Sequence, residues 1–197
     1  MCGQSLLNGV ASEIVVCTLC PLSKSRKNAV PGEGNPRARI MLVGEAPGSS
    51  EDLQGRPFVG AAGKFLETLL SKVGLSREDV FISNIVKCRP PGNRAPRPDE
   101  IQTCTPYLER QIKIIKPDFL VTLGSCATAY VLSGAHLPFT GITATRGKIF
   151  ETALHGMRMT VFPTFHPAAA LYSPKYKEQI TADFEFLKKE LEKRRII

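Results

Sequence analysis

Four short apolar runs, each closed by glycine, proline or polar residues, recur along the chain: 39–44, 80–86, 119–123 and 159–165. They are rich in β-branched and aromatic residues and do not alternate with polar ones, which predicts strands buried on both faces. Between and after them the apolar spacing becomes helical, over 62–73, 99–115, 125–132 and 175–195. Pro98-Asp99-Glu100 opens the second of these as a helix start should, and Leu108, Ile112 and Ile115 follow on one face. Strand alternating with helix predicts one α/β domain over residues 1–197, with a central parallel four-stranded sheet flanked by helices. The ligand crevice of such a sheet lies at the carboxyl ends of its strands. Gly44-Glu-Ala-Pro-Gly48, the segment 84–97 and Phe165-His-Pro-Ala168 occupy those ends.

Composition narrows the class. The chain has 197 residues, 43% of them apolar, enough for one well-packed core. No stretch approaches the roughly 18 apolar residues of a membrane helix, and the N-terminus is polar, with Gln4 and Asn8 interrupting its only short apolar stretch, so a soluble, unprocessed, cytoplasmic protein is expected. The lysine, isoleucine and proline content suits a thermostable chain. Lysine and arginine number 26 against 18 acids, a net charge of +8. That field attracts polyanions, nucleic acid first among them, but a generally basic solvated surface would carry the same charge.

Six cysteines are present, and four fall into two ordered pairs: Cys17-Thr-Leu-Cys20, then Cys88 and Cys104. Thiolates two residues apart can face one point, and a second pair brought close by the fold completes a metal site. Nothing indicates secretion, so disulfides are the weaker reading. Cys2 and Cys126 have no such partners and read as an incidental terminal thiol and a small buried residue. The cysteine segment before the first strand reads as an appendage tied down by its metal.

Taken singly, the crevice residues say little, since a glutamate after a strand caps helices and a histidine before proline is often structural. Together, Glu45, Phe58, Asn84 and His166 put a carboxylate, a ring, an amide and an imidazole around one crevice, the set that base recognition requires. Lys87, Arg89, Arg94 and Arg97 crowd a proline-rich loop beside it, suited to phosphate contacts or simply solvated. Leu171 and Tyr172 form an apolar wedge among cations, or begin the buried face of the last helix. Gly60-Ala-Ala-Gly63-Lys64 lacks the spacing and the hydroxyl residue of a phosphate loop, so nucleotide hydrolysis is not indicated.

These segments resemble the family-4 uracil-DNA glycosylases, the iron–sulfur-containing class, over nearly the whole chain. The likeness rests on Cys17-Thr-Leu-Cys20, Gly44-Glu-Ala-Pro-Gly48, Gly55-Arg-Pro-Phe-Val-Gly60, Asn84-Ile-Val-Lys-Cys-Arg-Pro-Pro-Gly-Asn-Arg94, Cys104 and His166-Pro-Ala168. It implies a DNA-repair enzyme that hydrolyses the N-glycosidic bond of deoxyuridine, releasing uracil. By similarity, His166 donates to the uracil oxygen where charge grows, and Glu45 holds the attacking water and stabilises the cationic sugar. Asn84 reads uracil N3–H and O4, Phe58 stacks on the flipped base, the Ala46 amide contacts it, and Glu51 closes the space beside C5. The resemblance implies a [4Fe–4S] cluster on Cys17, Cys20, Cys88 and Cys104, with zinc the competitor that spacing does not remove. The expected partner is uracil-containing DNA, single- or double-stranded, bound by a monomer, with a sliding clamp or another repair protein as a candidate. Two other readings stay open: a glycosylase of broader specificity for deaminated bases, which Glu45 argues against, and a non-catalytic metal-bound DNA-binding module.

Overall fold

In the computed structural model, which describes residues 3–197, six strands form one sheet; Cys2 lies outside the described residues. The strands are β1 (Glu33–Gly34), β2 (Ile40–Gly44), β3 (Phe81–Asn84), β4 (Phe119–Leu123), β5 (Phe150–Leu154) and β6 (Met157–Thr164). The four predicted runs correspond to β2, β3, β4 and β6, which pair in parallel, with Gly44 opposite Asn84 and Val43 opposite Thr122. The four-stranded parallel sheet expected from sequence is corrected to a mixed six-stranded one in the order β1-β3-β2-β4-β6-β5. The added edge strands β1 and β5 run antiparallel to their neighbours.

Physical reasons account for both omissions. β1 is two residues long and offers no periodicity. β5 is half-exposed and turns into β6 through His155 and Gly156, both at positive φ (52° and 78°). A two-residue turn of that hand matches the twist of a hairpin, and the His-Gly pair was its sequence signal.

The helices are α1 (Gly3–Val16), α2 (Ser49–Gln54), α3 (Ala61–Lys72), α4 (Pro98–Ile115), α5 (Ser125–Gly134), α6 (Ile142–Thr145) and α7 (Pro174–Lys193). Alternation along the central strands sorts the core into two layers. Met41 and Val43 pack with residues of α1, α4 and α5, whereas Ile40 and Leu42 pack with α3 and α7. Among the described residues, no helix is long and apolar enough to cross a membrane.

The N-terminal segment is more than an appendage. α1 buries Leu7, Val10 and Ile14 at helical spacing and packs on α4. Each such side chain contributes about 1.5–3 kcal/mol when fully buried, so α1 is held by its apolar face as well as by the thiols that follow it.

Candidate active site and cysteine chamber

The loops after β2, β3 and β6 meet in one pocket. Glu45, Ala46, Glu51, Phe58, Asn84 and His166, the residues expected to bind the base, all line it, together with Arg94 and Tyr172. The sheet register explains the convergence, because Gly44 and Asn84 end neighbouring parallel strands side by side.

Asn84 is 1% exposed, and among the described residues its side-chain Oδ1 has no hydrogen-bond partner. A buried acceptor left unpaired costs about 1–3 kcal/mol, so the site is built to receive a donor. Gly44 makes room for that amide: a Cβ there would lie 2.4 Å from Asn84 Oδ1 and 2.7 Å from Phe58 Cζ.

Phe58 stands in the left-handed region at φ 52°, which costs a residue bearing a Cβ about 1–2 kcal/mol. Its ring stacks on His166 at a centroid distance of 5.5 Å and an interplanar angle of 27°. Glu51 fixes the chain on one side of Phe58, its Oε1 accepting from the amides of Val59 (2.8 Å) and Gly60 (2.9 Å). Its Oε2 accepts from Gly48 N at 3.1 Å, the glutamate half of a capping box at the start of α2. Expected only as a wall of the pocket, Glu51 therefore ties its two glycine loops together. Gly63 completes the arrangement, because a Cβ there would lie 1.9 Å from the Phe58 carbonyl oxygen. The second glycine of the segment that resembles a phosphate loop thus has a steric reason.

His166 N-caps the turn Pro167–Leu171, its Nδ1 accepting from Ala168 N at 3.1 Å, so the neutral ring carries its proton on Nε2. Burial pushes its pKa down to about 4, against a weaker upward pull from Glu51. The imidazole is consequently neutral at physiological pH. Burial raises the pKa of Glu45. Cys126, expected as a small buried residue, is only partly buried at the start of α5. Burial, with Glu45 adding to it, pushes its thiol up to about 11.

The sequence matches the family model for the Uracil DNA glycosylase superfamily over residues 31–191. It is 50% identical over 186 residues to a type-4 uracil-DNA glycosylase of Saccharolobus solfataricus, covering 94% of this chain and 86% of the relative. A type-4 uracil-DNA glycosylase of Sulfurisphaera tokodaii is 51% identical over 180 residues, 91% of this chain and 82% of the relative. Another, from Archaeoglobus fulgidus, is 46% identical over 179 residues, with 91% and 90% covered. The chain belongs to the type-4 uracil-DNA glycosylases. The superfamily match begins after α1 and the first cysteine pair, whereas these three type-4 relatives align over more than nine-tenths of the chain.

Within this type-4 glycosylase the basic residues differ in what they can do. Lys87, expected on the DNA surface, is buried: its Nζ donates to Ser83 Oγ (2.6 Å), Asn84 O (2.8 Å) and Gln111 Oε1 (2.9 Å). It cannot reach a phosphate. Burial lowers its pKa to about 8, and the neighbouring Cys104 pulls it back up. Arg94 pairs with Glu100, whose side chain is 1% exposed, at 2.6 Å and 2.8 Å, so its charge is compensated inside the protein. Arg89 donates to Asn93 Oδ1 at 2.8 Å and is partly exposed, and Arg97 is exposed. Leu171 (51% exposed) and Tyr172 (87% exposed) stand outside the core, which removes the alternative that they begin the buried face of α7.

Cys17, Cys20, Cys88 and Cys104 line a second, much smaller pocket, with Ile14, Arg26 and Tyr107 among its walls. All four are free thiols. Cys17 and Cys20 follow α1, Cys88 lies on the loop after β3, and Cys104 on α4, so the packing of α1 on α4 brings the pairs together. Arg26 Nη1 donates to Cys88 Sγ at 3.0 Å and Lys87 N to Cys104 Sγ at 3.2 Å, contacts that favour thiolates. Among the described residues, no three His, Cys, Asp or Glu side chains are grouped closely enough to hold a single metal ion.

Proposed function

We propose that this protein excises uracil from DNA by hydrolysing the N-glycosidic bond of deoxyuridine, leaving an abasic site, with one domain carrying the whole reaction. The observation that carries this reading is the unpaired, buried Oδ1 of Asn84 in a pocket shared with Glu45, Phe58 and His166. Uracil N3–H is the donor that oxygen lacks, and the Asn84 amide group donates in return to O4. Cytosine presents the opposite pattern and would leave both groups unpaired.

Bond cleavage leaves negative charge on the uracil and positive charge on the sugar. The neutral His166 donates from Nε2 to the uracil oxygen, because Nδ1 is already occupied by Ala168 N. Glu45 faces the cationic sugar and orients the water, its pKa raised by burial toward that of a better base. Phe58 stacks on the extruded base, and the Ala46 amide contacts its edge. Arg89 and Arg97 position the phosphates, with Arg94 at the pocket mouth, while Leu171 or Tyr172 fills the vacated space in the stack.

We further infer that Cys17, Cys20, Cys88 and Cys104 hold a [4Fe–4S] cluster. Four free thiols from two ordered cysteine pairs lining one pocket support this reading, and elemental analysis distinguishes it from zinc on the same ligands. Such a group would supply cross-linking rather than electrons, since the hydrolysis transfers none. These residues thereby tie α1, the loop after Asn84 and α4 together.

Oligonucleotides bearing uracil, hypoxanthine or only normal bases, incubated with the protein and then treated with alkali, test the activity. Strand breaks at uracil alone are expected. Breaks at hypoxanthine as well would favour the broader-specificity reading, and DNA binding without release of a base the non-catalytic one.

A further inference from the structure

Arg77 lies between α3 and β3, outside the pocket, yet it grips the chain at the residue that faces the base. Its Nη2 donates to the carbonyl of Pro57 at 2.6 Å and its Nη1 to the carbonyl of Phe58 at 2.9 Å. The same guanidinium is held by Glu33 of β1, from Nη2 at 2.5 Å and from Nε at 3.1 Å. Arg77 is 17% exposed and Glu33 27%, so this pair is shielded rather than superficial. Burial pushes the Glu33 carboxyl up, but hydrogen bonds from Arg56 and Arg77 outweigh it and leave it below its usual value. A planar guanidinium presenting two N–H groups to successive carbonyls fixes the peptide plane between them.

That plane sets the entry into Phe58, the bulky residue at φ 52°. A strained backbone persists only when its surroundings over-determine it. Glu51 holds the amides after Phe58. Arg77 holds the carbonyl before it and its own. The edge strand β1 thus has a use beyond pairing, since it carries the carboxylate that aims Arg77.

We propose that Arg77 is a positioning residue for base recognition, acting through Phe58 by locking the carbonyls of Pro57 and Phe58. The proposal rests on the reading of the pocket as a uracil site. Arg77→Met removes both carbonyl contacts. Arg77→Lys keeps the charge and reaches one of them at most. Arg56→Met is the control, because Arg56 pairs with the same Glu33 but is the more exposed partner and donates to neither carbonyl.

Uracil release from a single-stranded oligonucleotide and calorimetric binding of free uracil read the effect. Wild-type protein that releases no uracil defeats the parent reading, whatever Arg77 does. With wild type active, Arg77→Met is expected to lose between about tenfold and a hundredfold in kcat/KM, the range of a misplaced contact group. Free uracil should bind correspondingly more weakly. Arg77→Lys should fall between the two, and Arg56→Met within about twofold of wild type.

The deciding arm is a cycle with Phe58→Ala. If Arg77 acts through that ring, Arg77→Met costs little more once the ring is gone. Additive losses would overturn the proposal. So would a lowered melting temperature with kcat/KM and uracil binding unchanged, the result of a merely structural role. Should Arg77→Met not fold, the same cycle run with Arg77→Lys gives the same decision.

Discussion

Lys87 sets its ammonium 2.8 Å from the main-chain oxygen of Asn84, so a buried cation and the amide that lines the pocket share one stretch of backbone. All three acceptors around the ammonium are neutral. Replacing Lys87 with Met should lower the melting temperature, since it leaves buried acceptors unpaired at about 1–3 kcal/mol. It should leave the salt dependence of DNA binding unchanged. Arg97→Ala should do the reverse, reducing the slope of log affinity against log salt by about 1 while sparing stability. A Lys87→Met protein with a reduced salt slope would return that residue to the DNA surface.

Gly44 supplies a second prediction. Its backbone is not at positive φ, so alanine fits the strand, yet the added methyl would collide with Asn84 Oδ1 and the Phe58 ring. Gly44→Ala should therefore fold and lose more than about 10² in kcat/KM, comparable to displacing a substrate-positioning group. Wild-type turnover from the folded variant would mean that Asn84 and Phe58 do not form the reading surface.

Much of this was legible in the chain. β2, β3, β4 and β6 announce themselves as continuous apolar runs because both their faces are covered. The pocket residues could be gathered on one rim because parallel strands all point their carboxyl ends the same way. What stayed hidden depends on contacts remote in sequence. Lys87 reads as a surface cation until Ser83 and Gln111 are seen around it. Arg77 carries no local signal at all, because its partners Glu33 and Pro57 are 44 and 20 residues away. Glu51 did have one, three residues after the Gly48 cap. α1 had another, in Leu7, Val10 and Ile14, obscured by the exposed Val15 and Val16 that follow.

Asn84→Asp tests base reading. The carboxylate can accept from uracil N3–H but repels O4, while it accepts well from the exocyclic amine of cytosine. The ratio of uracil to cytosine excision, measured in single-turnover assays, should fall by about 10² or more. An unchanged ratio would mean that the unpaired Oδ1 is not what distinguishes the bases.

His166 makes the pH dependence specific. With its pKa near 4, the imidazole stays neutral from pH 5 upward, so kcat should show no ionisation around 6.5. Stability should behave otherwise. In the unfolded chain the ring titrates near its ordinary value of about 6.5, so between there and 4 the unfolded state binds the extra proton. The stability contributed above that window is lost as pH falls through it. His166→Ala should lose about 10²–10³ in rate and flatten this part of the melting-temperature profile relative to wild type. A rate limb centred on 6.5 that vanishes in the variant would show instead that the charged imidazole takes part.

Cys88 offers the test of the chamber. Its Sγ accepts from Arg26 Nη1 at 3.0 Å, and Arg26 in turn donates from Nη2 to Val15 O at 2.8 Å, at the end of α1. Cys88 therefore sits where the loop after Asn84 meets the N-terminal segment, and whatever the four thiols bind is held against both. Burial raises the pKa of the Cys88 thiol, so a bare thiolate there is unfavourable and a bound metal is what would offset its charge. Cys88→Ala should lower iron content, bleach the visible absorbance of anaerobically purified protein and reduce the folded yield, since metal binding and folding are coupled. Zinc in place of iron in the wild type, found by elemental analysis, would overturn the cluster while keeping the ligands. Full iron occupancy with wild-type melting in the variant would remove Cys88 from the ligand set and leave the α1-to-loop contact to apolar packing.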